Sequence, residues 1–310
     1  MTATAFMKII KTNQVKWINI KNPNEIDVEY LRENFHLAPS ILKEYIPPIK
    51  RPKVEKHPDY LFIVIHFPVF NKKNRQTSSE ELDIILTKDT LITSYIRFLP
   101  QLEKFFDDCS IHERLRQQYL GKSTGFLLFQ ILDKLIDSRL AMLDHIGENI
   151  DRIEDQVFKG KEREMISEIS IVKKDIIDFR KAIKPQRTIL ETLERTVPKL
   201  CNENLRIYSQ EVIGSNIRVW NILENHKEMI EAIEHTNESL FYYKFNETLK
   251  ILTVFSVIML PLTLIASIFG MNTMESMPFT KTPYDFWIIV SIMAATFIFM
   301  ILYFKKKKWL

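Results

Sequence analysis

The pattern of apolar and polar positions divides the chain near residue 251. Before that point charged residues recur every few positions; after it they nearly vanish. Ile251–Met271 carries no charge over about 21 residues, enough to cross a hydrocarbon core at 1.5 Å per residue. A second uncharged run, Phe286–Phe304, covers about 19 residues. Between them lie Glu275, Lys281 and Asp285, a net charge of −1, and the chain finishes in Lys305, Lys306, Lys307, Lys308, Trp309 and Leu310. Lysine clusters stay on the cytoplasmic side, so two spans place both termini there and the connecting loop outside. Met1–Ile10 has one lysine and too short an apolar stretch for a signal peptide. The alternative, a buried helical hairpin in a soluble core, does not account for the flanking lysines.

The remaining 250 or so residues read as a cytosolic part. Val15–Ile20 is a strand, and Asn24–Glu33 a helix with acids in its first turn, after Asn22-Pro23. Tyr60–Pro68 is a continuous apolar run typical of a buried strand. Leu82–Leu86 and Thr90–Tyr95 flank the polar Thr87-Lys88-Asp89 turn as a hairpin. A sheet covered by helices, an α+β domain over 1–110, is the simplest package. From Ile111 heptad-like apolar spacing takes over, and no proline occurs between Pro100 and Pro185. Over this helical region, 111–200, the spacing predicts one long helix from Phe126 to Val157, with Gly160 as C-cap. A second helix, Arg163–Thr196, is kinked or ended by Pro185. A third runs from about 201 to 271, a stalk of about 100 Å entering the first span (251–271) without interruption. The loop 272–285, the second span 286–304 and the basic tail 305–310 follow.

Composition narrows the function. The 310 residues are 46% hydrophobic and 26% charged, a globular balance that excludes disordered and collagen-like chains. With 6 glycines and no GxGxxG or Walker-type run, a phosphate cradle is disfavoured. Cys109 and Cys201 stand alone with no CxxC, so they make neither a zinc site nor a secreted framework. The net charge of +4 is too mild, without a motif, to argue for nucleic acid. The seven histidines are scattered, with no HExxH or nucleophile elbow, and an enzyme is not expected.

The first span carries a polar stripe. At alternating steps of three and four, Asn246, Leu249, Thr253, Ser256, Leu260, Thr263, Ser267 and Gly270 fall on one face, with Leu252 at its edge. Small and hydroxyl residues there can serve ordinary helix packing in lipid. They can equally line a water-filled pore, which two spans per chain could enclose only as a cyclic homo-oligomer. The stripe holds no carboxylate. A bare divalent ion would need charged or multiple oxygen ligands, whereas hydroxyls and an amide can bond to the waters of a hydrated one. Mg²⁺, which sheds water most reluctantly, is the natural candidate, and the leucine rings could gate by dewetting.

At the end of this span stands Phe269-Gly270-Met271-Asn272. Placed before the second of two C-terminal spans and a tetra-lysine tail, it resembles the Tyr-Gly-Met-Asn signature of the CorA family of divalent-cation channels. Arg51-Pro52-Lys53-Val54-Glu55, Asp59-Tyr60-Leu61-Phe62 and Pro261-Leu262-Thr263 are similar to that family as well. The resemblance implies a funnel-shaped homopentamer in the plasma (bacterial inner) membrane, its first spans lining the pore. Gly270, Met271 and Asn272 would form the mouth, with a ring of Asn272 amides capturing hydrated Mg²⁺. Asn246, Leu249, Thr253, Ser256, Leu260, Thr263 and Ser267 match the family's pore-lining positions. It further implies regulatory Mg²⁺ held by acids between cytosolic domains: Glu211, with Asp89 or Asp83 as partner. Phe269 replaces the usual tyrosine. The loop keeps Glu275 but has Phe279 where a second acid often stands, which weakens attraction of cations to the mouth.

The reading is a passive channel taking up Mg²⁺, with Co²⁺ or Ni²⁺ as secondary ions, closed by internal Mg²⁺. Two alternatives stay open: a zinc transporter of the same superfamily, and a non-conducting membrane-anchored scaffold or sensor whose stripe only packs.

Overall fold

The computed structural model describes residues 7–46, 51–71, 76–271 and 283–309. The chain divides into two compact units, Met1–Glu234 and His235–Leu310.

In the first unit the strands are β1 (Met7–Lys11), β2 (Lys16–Lys21), β3 (Lys53–Lys56), β4 (Tyr60–Asn71), β5 (Gln76–Thr87) and β6 (Thr90–Tyr95). They form one sheet in the order β1-β2-β6-β5-β4-β3, with β2 and β6 parallel and the other pairs antiparallel. The helices of this unit are α1 (Glu25–Asn34), α2 (Pro39–Glu44), α3 (Pro100–Ile111), α4 (Glu113–Leu120), α5 (Thr124–Asp137), α6 (Leu140–Phe158), α7 (Glu162–Ile183) and α8 (Gln186–Cys201), followed by the first part of α9 (Arg206–Phe269). The edge strands β1 and β3 were not legible in the sequence.

Period-two alternation sends each strand's side chains to two covered faces. Ile18, Phe62, Val64, Ile85 and Ile92 pack against Leu31 of α1 and Ile41 and Tyr45 around α2. On the other face Trp17 meets Phe105 and Phe106 of α3, ring centroids 5.5 and 4.8 Å apart, while α7 covers β4 and β5. Tyr60–Pro68 contains no alternation because both faces of β4 are covered, as a continuous apolar run demands. α1 begins with a capping box: Asn24 accepts from the Asp27 amide and Asp27 accepts from the Asn24 amide, which satisfies two orphan donors.

The helical region departs from expectation at one place. Instead of one helix over Phe126–Val157, α5 stops at Asp137 and α6 starts at Leu140. At the break the Arg139 amide donates to the Ile136 carbonyl, a tightened i to i−3 turn. The cause is tertiary: Arg139 is buried and its Nη1 donates to the Pro68 carbonyl of β4 at 2.7 Å. Elsewhere the punctuation is as the residues dictate. Gly160, at φ 87°, ends α6 with a Schellman pair, Lys161 N–H to Gln156 O at 3.2 Å and Gly160 N–H to Val157 O at 3.1 Å. Pro185 separates α7 from α8, because it lacks the amide proton that would continue the ladder. The first part of α9 is tied down by polar contacts. Asn216 donates to Gln186, which donates to the His66 carbonyl, and Arg180 pairs with Glu224 at 2.9 Å.

The second unit holds the rest of α9 and α10 (Asp285–Lys306). Both helices are long and apolar enough to cross a membrane. Val254, Ile258 and Leu262 of α9 pack against Met300, Ile301 and Phe304 of α10. α10 ends in a second Schellman cap: Lys308 stands at φ 56°, Trp309 N–H donates to Phe304 O at 3.0 Å, and the Trp309 ring lies 6.0 Å from that of Phe304. Lys250 donates to the Lys308 carbonyl at 3.2 Å. Tyr284 and Trp287 at one end of α10, and Tyr303 and Trp309 at the other, are exposed, as aromatics at the two membrane–water interfaces would be.

Candidate pore and regulatory acids

The stripe of the first span takes its place from the helix period. At 100° per residue, the α10-packed positions Val254, Ile258 and Leu262 centre about 170° from Ser256, Leu260, Thr263 and Ser267. The polar face therefore points away from the chain's own second span. Asn246, Leu249, Leu252, Thr253, Ser256, Leu260, Thr263 and Ser267 are all exposed. Packing against α10 is thus excluded as the reason for these residues, since the apolar seam already occupies that side.

Three of the stripe hydroxyls, Thr253, Ser256 and Thr263, are oriented by their own helix. Thr253 Oγ1 donates to the Leu249 carbonyl at 2.8 Å, Ser256 Oγ to the Leu252 carbonyl at 2.9 Å, and Thr263 Oγ1 to the Met259 carbonyl at 2.9 Å. With the proton committed backwards, each oxygen offers lone pairs outward. Pro261 lies inside the helix between these turns. At the end of the span the Gly270 amide donates to the Ala266 carbonyl at 2.9 Å, and a Cβ at residue 270 would sit 3.1 Å from that oxygen. Met271 is exposed, the last described residue before the loop. Asn272 and Glu275 lie outside the described residues.

The three acids expected to bind a regulatory ion occupy different surroundings. Asp83 is buried in β5, opposite Ser94 of β6, on the face covered by α1 and α2. Asp89 is exposed in the β5–β6 turn, where its Oδ1 accepts from Thr87 Oγ1 at 2.9 Å and Thr90 Oγ1 at 3.2 Å. Glu211 is exposed on α9. Within one chain Glu211 acts on Asp133 of α5, as does Asp137 of the same helix. Burial, then the charges of Asp137 and Glu211, push Asp133 up to about 6, against Lys134 and a hydrogen bond with Ser215. Sequence reading missed Asp133 and Asp137. Their only signal was an i,i+4 acid pair on an otherwise apolar helix. Among the described residues no group of three or more His, Cys, Asp or Glu is placed to hold a metal ion.

A family model described as CorA-like Mg²⁺ transporter protein matches residues 12–306. The chain belongs to this family. It is 31% identical over 298 residues to the cobalt/magnesium transport protein CorA of Thermotoga maritima, covering 95% of this chain and 83% of that one. The complete structure of the CorA magnesium transporter from Methanocaldococcus jannaschii superposes with a TM-score of 0.83 at 21% identity, covering 97% of this chain and 93% of that one. The full-length CmaX protein superposes with a TM-score of 0.74 at 16% identity, covering 97% and 90%. The α+β domain, long helix and terminal apolar helix are thus a CorA fold, and the chain is a membrane protein of a transporter family rather than of an enzyme family.

Proposed function

We propose that the protein is a passive channel for hydrated Mg²⁺, built as a homopentamer with the α9 stripe facing its axis. The observation that carries this reading is the stripe itself, turned away from α10 with the hydroxyl protons of Thr253, Ser256 and Thr263 spent on its own backbone. Waters bound to a cation point their hydrogens outward and need acceptors. A face of lone pairs suits them, and no group on it is charged enough to replace them. Leu249, Leu252 and Leu260 alternate with the hydroxyls and supply apolar rings at which the column of water can break. Asn272 is the ring at the mouth, with Gly270 and Met271 shaping the turn and Glu275 drawing cations in. The transported ion is drawn inward by the membrane potential, about 2.3 kcal/mol per charge per 100 mV, with no ATP required. Both termini face the cytoplasm of a plasma membrane, held there by Lys305–Lys308.

Regulation follows from the acids. The charges of Asp137 and Glu211 each oppose ionisation of Asp133, an opposition that a nearby divalent cation relieves. Internal Mg²⁺ bridging Glu211 to an acid of a neighbouring copy, Asp89 or Asp83, would hold the cytosolic ring closed. Co²⁺ and Ni²⁺ are secondary cargo, the first in keeping with the name of the Thermotoga maritima relative.

Reconstituted in liposomes with an internal Mg²⁺ dye and an inside-negative potential, the protein should admit external Mg²⁺. Asn272→Ala should reduce the initial rate at least tenfold, as should Thr263→Leu, at unchanged incorporation. Zn²⁺ entry without Mg²⁺ entry would transfer the assignment to zinc. Full flux in Thr263→Leu would leave the stripe as packing alone. No flux of any ion at low internal Mg²⁺, from an intact oligomer, would make the protein an anchor.

A further inference from the structure

The basic end of α10 is a folded turn, not a loose tail. Lys308 stands at φ 56°, a left-handed conformation that favours glycine, and the turn it makes carries Trp309 back onto Phe304, ring centroids 6.0 Å apart. The last helix carbonyls are taken by backbone amides. Tyr303 O accepts from Lys307 N–H at 3.1 Å, Phe304 O from Trp309 N–H at 3.0 Å, and Lys305 O from Lys308 N–H at 3.1 Å. The Lys308 carbonyl accepts from Lys250 Nζ of α9 at 3.2 Å, which ties the turn to the first span. Lysines near a helix C-terminus often bond to its last carbonyls, but here those carbonyls are already satisfied. The ammonium groups of Lys305, Lys306, Lys307 and Lys308 are left over. All four residues are exposed, and none of these groups meets an acceptor or an acid among the described residues.

The rest of the second unit supplies no compensation. Of its described acids, Asp285 begins α10 at the opposite end, Glu238 lies about three turns before Lys250, and Glu247 pairs with Lys250 at 3.8 Å. The four lysines follow Phe304 directly, within about 6 Å of the end of the apolar span at 1.5 Å per residue, the depth of the headgroup layer. Consecutive positions step round the helix axis by about 100°, so the charges fan about the helix end. Tyr303 and Trp309, exposed at 50% and 45%, stand at the same level.

We propose that this turn binds anionic phospholipid, with lipid phosphates accepting from the ammonium groups of Lys305–Lys308 and the Trp309 ring lying among the headgroups. An ammonium is a compact charge on a flexible stem, suited to phosphates that shift in a fluid surface, and each one near an anionic bilayer adds to the attraction. A lysine cluster that served only to orient the chain during insertion would need neither the closed turn nor its tie to Lys250. The site lies wholly in the second unit and asks nothing of the stripe or the regulatory acids.

The test uses the full chain in phosphatidylcholine vesicles carrying a trace of spin-labelled phosphatidylglycerol or spin-labelled phosphatidylcholine, with the motionally restricted fraction as readout. Phosphatidylglycerol should associate at least about fivefold more strongly than phosphatidylcholine. Replacing Lys305–Lys308 by glutamine should bring that ratio below about twofold, and replacing them by arginine should preserve it. Because loss of all four charges can disturb insertion, Lys306→Gln with Lys307→Gln is the second variant, and it should at least halve the ratio. In the unaltered protein, about 1 M NaCl should collapse the preference, since charges at a surface are screened within about 3 Å there. Equal association of the two lipids would overturn the proposal and leave the lysines as an insertion signal, as would a preference that survives in both glutamine variants. So would its complete displacement by about 10 mM glycerol 3-phosphate, which would make a soluble anion the occupant.

Discussion

At the scale of the residue, chemistry follows from what each polar group has already been given. The hydroxyls of Thr253, Ser256 and Thr263 are acceptors outward because their protons are used inward. Thr263→Ser keeps that arrangement and should retain Mg²⁺ flux within about twofold, whereas Thr263→Val removes the oxygen at equal volume and should cut flux at least fivefold. Asp133 behaves in the opposite sense to a salt-bridged acid. Its pKa is raised from 3.8 to about 6, so the folded chain holds this proton more tightly than the unfolded one. Stability then falls as pH rises through that window and is regained on acidification. The cost of ionisation at neutral pH is of order 1 kcal/mol once solvent screening is allowed for. Asp133→Asn should accordingly melt higher than the parent at pH 7.5 and equal to it near pH 4. Mg²⁺ should raise the parent's melting temperature at pH 7.5 and hardly at all at pH 4, and less in the variant at either pH.

At the scale of the element, termini were more legible than continuity. Asn22-Pro23-Asn24, Gly160 and Pro185 mark ends because a cap, a left-handed residue and a missing amide act locally. Gly160 at φ 87° is the sharpest case. Gly160→Ala should cost about 1 kcal/mol, read as a lower denaturation midpoint with an unchanged slope. The break at Ser138-Arg139 had no such mark. Leu128, Ile131, Leu135, Leu143, Ile146 and Ile150 carry apolar spacing across it, and only the Pro68 carbonyl on a distant strand explains the turn. Strands β1 and β3 escaped for a related reason. Four or five residues with mixed exposure, Met7–Lys11 and Lys53–Lys56, show little period and are held by their neighbours' edges.

At the scale of the whole molecule, two spans per chain make the pore a property of the assembly. Native mass spectrometry of the detergent-solubilised protein should give five times 36.8 kDa. The face that meets the axis can be tested independently. Ser256→Cys, exposed on the stripe, should form disulfide-linked dimers on mild oxidation, while Val254→Cys, packed against α10, should not. Cys109 is buried and Cys201 half-buried, so background linking should be low. The reverse pattern would turn the stripe outward to lipid and remove the pore.

The sequence by itself determined the two apolar spans and the face on which the hydroxyls lie. Each of these depends on composition along one helix and on a fixed 3.6-residue turn, which no distant contact can change. It also carried a resemblance to the CorA family, which the family match over residues 12–306 bears out. What only the tertiary structure decided involves residues far apart in the chain. That α10 takes the side opposite the stripe depends on which apolar ridge of α9 fits Met300, Ile301 and Phe304. That Glu211 acts with Asp133 depends on α9 lying beside α5, where Phe126 and Tyr208 meet edge to face at 4.8 Å. And the buried Arg139 arises only when a strand carbonyl and a helix break converge, because burial and charge compensation are properties of neighbours in space.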